Sequence, residues 1–160
     1  MRVTLAARAE LEAFVTLAEE VEDWFGPMVN EPGFHRAVAR AIARASALVA
    51  VEPGGTVVGG LLFSTGRAPE YEVGWLVVTP AHRSQGVGEA LVAEAVRRWV
   101  CPPAELTVVT FGPDHPGARS RRFYERLGFR PAKVVEPGPE GGSRQRFRLH
   151  LDALPPWAGA

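Results

Sequence analysis

The stretch Arg83-Ser84-Gln85-Gly86-Val87-Gly88 decides what this chain folds into and what it can bind. It follows the apolar run Trp75–Val78, which predicts the end of a buried strand, and it opens a helix-patterned segment, residues 86–99. The first turn of a helix has backbone N–H groups without a partner, and the helix dipole places positive potential there. Because glycines let an anion approach the backbone closely, this strand–turn–helix arrangement predicts a phosphate-binding site.

Two other phosphate-binding motifs fit this stretch less well. A dinucleotide-binding turn requires a third glycine where this chain has Leu91, and an acidic residue about 20 positions further on, after the next strand. The nearest acid, Glu105, comes before the apolar run Leu106–Phe111. A Walker loop requires Gly-Lys-Ser/Thr, which the sequence lacks. On the local pattern alone, a plain tight turn before a helix stays open as an alternative.

A second segment, Arg122-Phe123-Tyr124-Glu125-Arg126-Leu127-Gly128-Phe129, narrows the choice. Together the two segments resemble the GNAT superfamily of acyl-CoA-dependent N-acetyltransferases. The first is similar to the family's pyrophosphate motif, Arg/Gln-x-x-Gly-x-Gly/Ala, and the second to its Phe/Leu-Tyr-Glu-x-x-Gly-Phe motif. The resemblance is strong from about Glu72 to Phe129 and loose over the first seventy residues and at the C-terminus.

The order of elements agrees with the fold that this resemblance implies. Helical and strand periodicities alternate, and Pro53-Gly54-Gly55 predicts a hairpin turn. We expect an α+β fold: a mixed, largely antiparallel central sheet of about six to seven strands, flanked by helices on both faces in a GNAT-like arrangement. The prediction is a single domain over residues 1–154 and an irregular C-terminal tail, residues 155–160.

The resemblance also implies acetyl-CoA as co-substrate, and it implies which residues hold it. Backbone N–H groups of the glycine turn are expected to bind the pyrophosphate, and the end of the preceding strand is expected to pair with the pantetheine amides. The predicted cofactor-binding residues are Leu76, Val77, Val78, Arg83, Ser84, Gln85, Gly86, Val87, Gly88 and Glu89.

Two residues are candidates for acid–base chemistry. Tyr124 matches the family tyrosine that protonates the departing thiolate, and a phenol with a pKa of about 10 is protonated at pH 7. Without the resemblance, the sequence indicates only that Tyr124 is an aromatic side chain packed on a helix face. Glu72 lies 11 positions before Arg83, where a glutamate takes the amine proton in the histone acetyltransferase branch. The alternative for Glu72 is a residue at the solvated end of its strand.

The sequence departs from the family at one position. Many members carry an asparagine seven residues before the tyrosine, and this chain has Gly117 there; Asp114, His115 or Ser120 could substitute. The loss of that contact favours an alternative function, a non-catalytic acyl-CoA-binding or sensor module.

Downstream, three arginines at helical spacing fit either a solvated face or a contact with the 3′-phosphate of coenzyme A: Arg119, Arg122 and Arg126.

The acceptor of the acetyl group is not encoded in a motif. In the family, the segment between the first two helices and the turn between the last two strands border the acceptor, which here are residues 24–29 and 138–142. We therefore expect the apolar side chains Trp24, Phe25 and Met28 to wall an acceptor pocket, with core packing as the alternative. The partner is then a small-molecule or peptide amine.

Composition excludes several other classes. The chain has 160 residues and a formal net charge of zero, so no basic excess predicts binding to nucleic acid or to a membrane. The single cysteine, Cys101, excludes an internal disulfide, and no signal peptide or apolar run near 18 residues occurs. The histidines show no metal-ligand spacing. We expect a cytoplasmic protein without a metal, and a homodimer is consistent with the family.

Overall fold

The computed structural model describes residues 1–159, which form a seven-stranded sheet with helices on both faces. The order of the strands across the sheet is β1-β2-β3-β4-β5-β7-β6, and every neighbouring pair is antiparallel except β4 and β5. The predicted α+β fold is therefore confirmed. The strands are β1 (Arg2–Leu5), β2 (Ala47–Val51), β3 (Val57–Arg67), β4 (Glu70–Val78), β5 (Ala104–Phe111), β6 (Arg130–Val135) and β7 (Arg144–Leu151).

Five α-helices and three short 3-10 turns connect the strands within residues 1–159. Pro32 at the first position of α3 favours the start of the helix there, because its missing N–H needs no partner in the first turn. The helices are α1 (Leu11–Glu19), α2 (Glu22–Phe25), α3 (Pro32–Ala43), α4 (Val87–Trp99) and α5 (Arg119–Arg126), and the 3-10 turns are Arg8–Glu10, Pro80–His82 and Pro156–Ala158.

Each face of the sheet has its own hydrophobic core. One core lies under α4 and α5 and includes Leu91, Tyr124 and Phe147. The other lies under α1 and α3 and includes Phe14 and Trp75. Because side chains alternate between the faces of a strand, these two cores show which way each side chain of β4 and β5 points.

Two local predictions differ from the structure. The segment at Trp24 was expected to be a loop, but Trp24 and Phe25 lie on the single-turn helix α2, which ends at Gly26 with φ = 92°. The C-terminal tail was expected to be irregular, but it contains the 3-10 turn Pro156–Ala158. The indole N–H of Trp157 donates to the carbonyl of Leu127 at 3.0 Å, and this contact anchors the turn on the domain. The single-domain boundary at residue 154 stays a prediction.

Candidate active site

The site forms where β4 and β5 stop pairing. The parallel ladder between them runs from Glu70↔Glu105 to Val73↔Val108 and goes no further. At that point Gly74 is the extra residue of a β-bulge, since Leu62 of β3 pairs with Trp75 and Phe63 pairs with Val73. A bulge bends its strand and ends regular pairing. The C-terminal halves of the two strands therefore separate and leave a gap in the middle of the sheet.

The gap gives the end of β4 a free backbone edge. Thr79 comes directly after β4, and its N–H points towards β3, where it donates to the carbonyl of Val58. Because backbone groups alternate along a strand, Val77 also faces β3, whereas Leu76 and Val78 face the gap. On the gap side, Nε of the Arg83 side chain donates to the Val78 carbonyl at 3.2 Å. An extended ligand can pair with this edge.

A cleft of about 660 Å³ occupies the gap and continues over the start of α4. Residues from β4, the turn before α4, α5 and the α2 helix meet in it. Its lining consists of Trp24, Phe25, Leu76, Val77, Val78, His82, Arg83, Ser84, Gly86, Val87, Gly88, Glu89, Phe111, Gly117, Arg119, Ser120, Arg122, Phe123, Tyr124 and Arg126. Of the ten predicted cofactor-binding residues, Gln85 is the only one outside this lining.

The turn before α4 is shaped to receive an anion. Gly86 caps the helix in the left-handed conformation, with φ = 81°, and Ser84 also has a positive φ of 62°. No atom lies within 4 Å of the position that a Cβ on Gly86 would occupy, so the space beside the turn is open. A short chain of N–H groups with such dihedrals at a helix N-terminus forms a concave anion site.

Helix α5 packs directly against this turn. A Cβ on Gly88 would lie 3.1 Å from the Phe123 ring, closer than most Cβ contacts, so glycine at this position favours the close approach of the two helices. The next residue, Tyr124, is 5% exposed and lines the cleft. The Tyr124 hydroxyl has no hydrogen-bond partner within residues 1–159. Its oxygen is not fully buried, so we infer that it is accessible from the cleft. Burial raises the pKa of the Tyr124 phenol, which keeps it protonated.

Glu72 lies on the opposite face of the sheet. Tyr71 and Val73 on either side of it belong to the core under α4, so Glu72 points away from α4. Its side chain is 44% exposed, and its Oε2 lies 3.9 Å from Nη1 of Arg146 on β7. Glu72 is outside the cleft lining but stands one residue before the end of the β4–β5 ladder. Its role as a base stays a prediction.

Aromatic rings close the cleft at the end of β5. Trp24 and Phe25 both meet the Phe111 ring edge-on, at centroid distances of 6.3 and 5.2 Å. The guanidinium of Arg83 lies 5.1 Å from the Trp24 ring. Met28 is buried in the core under α1 and α3 and is not part of the lining. The structure thus brings Trp24 and Phe25 to the cleft, and an acceptor-binding role for all three residues stays a prediction.

The two segments expected to border the acceptor are in contact with each other. A Cβ on Gly26 would lie 2.6 Å from the Pro139 side chain, and an Arg144 Nη2 donates to the carbonyl of Trp24 at 3.3 Å. The α2 segment, whose Trp24 and Phe25 line the cleft, therefore packs against the β6–β7 loop, which lies outside the lining.

A partly buried polar network behind the cleft holds these segments together. Glu140 accepts hydrogen bonds from both terminal nitrogens of Arg144, at 2.7 and 3.0 Å, and from His115 Nε2 at 2.8 Å. The Gly117 N–H donates to His115 Nδ1, which assigns the proton of the neutral ring to Nε2. His115 stacks on one face of Phe111 at 4.1 Å, and Arg144 contacts the same ring at 4.8 Å.

Sequence reasoning missed this network. Glu140 lay in a segment expected near the acceptor, but its partners His115 and Arg144 come from other parts of the chain, and no short motif joins them. Among the residues proposed to substitute for the family asparagine, only Ser120 lines the cleft. Its Oγ is 2.6 Å from Oγ1 of the buried Thr110. The cofactor contact that Ser120 would make stays a prediction.

Within residues 1–159, no group of three or more potential ligand side chains is placed to hold a metal ion. In the same range, no helix is both long and apolar enough to cross a membrane.

Comparison with known proteins identifies the family. The family model "Acetyltransferase (GNAT) family" matches residues 14–129, so the chain belongs to the GNAT acetyltransferases. No curated protein matches the chain. Among solved structures, a ribosomal-protein-alanine N-acetyltransferase from Brucella melitensis is 20% identical, with a TM-score of 0.72 over 94% of this chain and 100% of that one.

Two further structures share the fold at similar distance. A GNAT-family acetyltransferase from Bacillus cereus is 17% identical, with a TM-score of 0.72 over 93% of this chain and 96% of that one. A phosphinothricin acetyltransferase from Sinorhizobium meliloti, solved in complex with AcCoA, is 19% identical, with a TM-score of 0.70 over 94% of this chain and 88% of that one. At these identities the structures establish the common fold.

The Glu140 network predicts an acid-sensitive contribution to stability. Burial disfavours the charge of Glu140, but hydrogen bonds from Arg144 and His115 outweigh that cost and lower its pKa from 4.5 to about 2. Stability from this group is then complete above pH 4.5 and is lost as the pH falls towards 2. We expect the difference in unfolding free energy between wild type and Glu140→Gln to be about 2–3 kcal/mol larger at neutral pH than near pH 2.

Urea unfolding at several pH values measures this difference. Glu136→Gln is the matched control, because Glu136 is exposed in the same loop and has no ion pair within residues 1–159. A Glu140→Gln effect that is independent of pH would contradict the assignment of the charge to this network.

Proposed function

We propose that this chain is an acetyl-CoA-dependent N-acetyltransferase, which moves the acetyl group directly from the thioester to a primary amine. One observation carries the proposal: the glycine turn before α4 and Tyr124 line the same cleft, at the point where β4 and β5 separate. A phosphate-bearing thioester bound at the turn would then lie in the same cleft as a proton donor.

The residues of the turn fit the cofactor. Backbone N–H groups from Ser84 to Glu89 bind the pyrophosphate, and the open space beside Gly86 leaves room for it. The free edge of β4 at Leu76 and Val78 pairs with the pantetheine amides. The acetyl-CoA complex of the Sinorhizobium enzyme, which has the same fold, supports this choice of co-substrate.

Tyr124 acts as the acid in this proposal. The thiolate that leaves when the tetrahedral intermediate collapses requires a proton, and a phenol close to the sulfur donates it. Burial disfavours the phenolate that Tyr124 becomes after it has donated its proton. The phenolate therefore has to be protonated again rapidly, and the cleft that Tyr124 lines supplies a route for a proton from solvent.

Glu72 acts as the base from the other side of the sheet. Tyr124 lies on the α4 and α5 face, whereas Glu72 lies on the opposite face, directly before the gap. An amine that approaches through the gap from the Glu72 face meets a thioester held on the Tyr124 face. The exposed carboxylate can take the amine proton through a water molecule.

The acceptor binds on the Glu72 face in this proposal, against the wall formed by Trp24, Phe25 and Phe111. Met28 supports this wall from the core. The names of the solved relatives refer to acceptors as different as ribosomal-protein alanine and phosphinothricin. The proposal is therefore limited to a primary amine.

The first prediction tests the phosphate turn. Gly86→Asp introduces a carboxylate beside the bound pyrophosphate, so coenzyme A affinity should fall by at least tenfold, the order expected for an unfavourable charge contact of about 1.4 kcal/mol. Gly86→Asn is the matched control, because it has the same shape and the same left-handed backbone strain without the charge. Calorimetric titration with coenzyme A measures both. Equal affinities of the two variants would contradict a pyrophosphate at this turn.

The second prediction tests Tyr124 and the activity together. Coenzyme A release is measured over a panel of amino acids, peptides and aryl amines, and Tyr124→Phe should lower kcat roughly 10²- to 10⁴-fold with cofactor affinity retained. Tyr71→Phe is the control, since Tyr71 is an equally buried tyrosine whose hydroxyl accepts from the Cys101 N–H at 3.4 Å, outside the cleft. Binding of acetyl-CoA without turnover of any amine would favour the non-catalytic module instead.

The third prediction tests Glu72. Glu72→Gln should lower kcat by roughly 10²- to 10⁴-fold at pH 7, and the deficit should shrink as the pH rises, because more of the amine is then deprotonated in solution. Glu70→Gln, an exposed glutamate on the same strand, serves as the control. Wild-type turnover of Glu72→Gln at pH 7 would assign Glu72 to its ion pair with Arg146 alone.

A further inference from the structure

Helix α5 presents a stripe of arginines to the cleft. Arg119, Arg122 and Arg126 repeat at helical spacing, are exposed, and all line the cleft. Within residues 1–159, none of the three forms an ion pair with a carboxylate. The stripe therefore carries three positive charges that the described protein does not neutralise.

The neighbouring arginine of the same helix shows the contrast. Arg121 points to the other side of α5, where its Nη1 donates to the Phe111 carbonyl at 3.0 Å and to Gln145 Oε1 at 2.9 Å. Its guanidinium also contacts the Phe147 ring at 4.9 Å. Arg121 thus has a structural role within the domain. Within residues 1–159, the side chains of the cleft-facing α5 arginines form no hydrogen bond or ion pair, so their donors are available to a ligand.

The stripe lies beside the anion-binding turn. Phe123, between Arg122 and Arg126, contacts Gly88 in the first turn of α4. Because Arg122 and Arg126 are neighbours on the helix surface, they flank this contact from one side. The cleft as a whole is lined by four arginines and a single carboxylate, Glu89, although the chain has a formal net charge of zero. Positive charge is therefore concentrated where the cofactor would bind.

The positive charge of the cleft lining is greater than a pyrophosphate bound at the turn requires. The turn binds it with backbone N–H groups and the α4 dipole, and neither requires the α5 side chains. A phosphate monoester adds roughly −1.5 to −2 charges near neutral pH and accepts several hydrogen bonds, which guanidinium groups match in geometry. Coenzyme A carries such a monoester on the 3′-position of its ribose, and 3′-dephospho-coenzyme A lacks it.

We propose that Arg122 and Arg126, assisted by Arg119, bind the 3′-phosphate monoester of coenzyme A and make the protein selective for coenzyme A over its 3′-dephospho form. This inference rests on the proposed function, because it concerns the same cofactor in the same cleft. The pyrophosphate and the monoester are then recognised by different means, the first by backbone and the second by side chains.

The test is calorimetric titration of the full chain with coenzyme A and with 3′-dephospho-coenzyme A. Wild type should bind coenzyme A at least about tenfold more tightly. In the double variant Arg122→Gln/Arg126→Gln, coenzyme A affinity should fall by about tenfold towards that of the dephospho form, whose own affinity stays unchanged. Arg130→Gln/Lys133→Gln is the charge-matched control, because both residues are exposed on β6 outside the cleft lining.

The outcomes separate this inference from the proposed function. Equal binding of the two cofactors by wild type overturns the 3′-phosphate site and leaves the proposed function standing. An equal loss for both cofactors in the double variant also overturns it, since the arginines would then act on the pyrophosphate. A loss in Arg130→Gln/Lys133→Gln as large as in Arg122→Gln/Arg126→Gln would reduce the effect to net charge and overturn it as well. Binding of neither cofactor by wild type overturns the proposed function, and this inference with it.

Discussion

The site depends on the limited pairing between β4 and β5. Only Glu70–Val73 and Glu105–Val108 form a ladder, and the bulge at Gly74 ends it. Continued pairing would engage the backbone edge at Leu76 and Val78 and fill the space that is now the cleft. Unpaired backbone groups inside a protein are unfavourable unless another partner satisfies them. In this sheet the free edge opens into a solvent-filled cleft, where water or an extended ligand can be that partner.

Local patterns in the sequence predicted much of the fold. The apolar runs Trp75–Val78 and Leu106–Phe111 predict strands, and the structure places them on β4 and β5. The glycine turn was readable because Gly86 and Gly88 stand between a strand and a helix. The structure shows that the two glycines are favoured for different reasons. Gly86 has a left-handed backbone conformation, whereas Gly88 allows the close approach of Phe123.

Features that depend on long-range contacts were not predictable in the same way. His115, Glu140 and Arg144 form a network that supports Phe111 in the cleft lining, although about 30 residues separate Phe111 from Arg144 in sequence and no periodicity relates them. The face on which Glu72 lies also follows from strand pairing, because a one-residue shift would reverse it. The single-turn helix α2 escaped prediction because four residues carry too little periodicity to identify a helix.

The short β4–β5 ladder also divides the sheet into two antiparallel units, β1–β4 and β5–β7–β6, that meet along four residue pairs. The glycine turn follows the last strand of the first unit, whereas the Glu140 network belongs to the loops of the second. Substitutions in residues 138–144 can therefore change the support of Trp24 and Phe111 on one side of the cleft without disturbing the turn on the other. In evolutionary terms, substitutions in one unit can change the molecule that is bound beside it while the other unit keeps its ligand. The two binding specificities can therefore evolve separately.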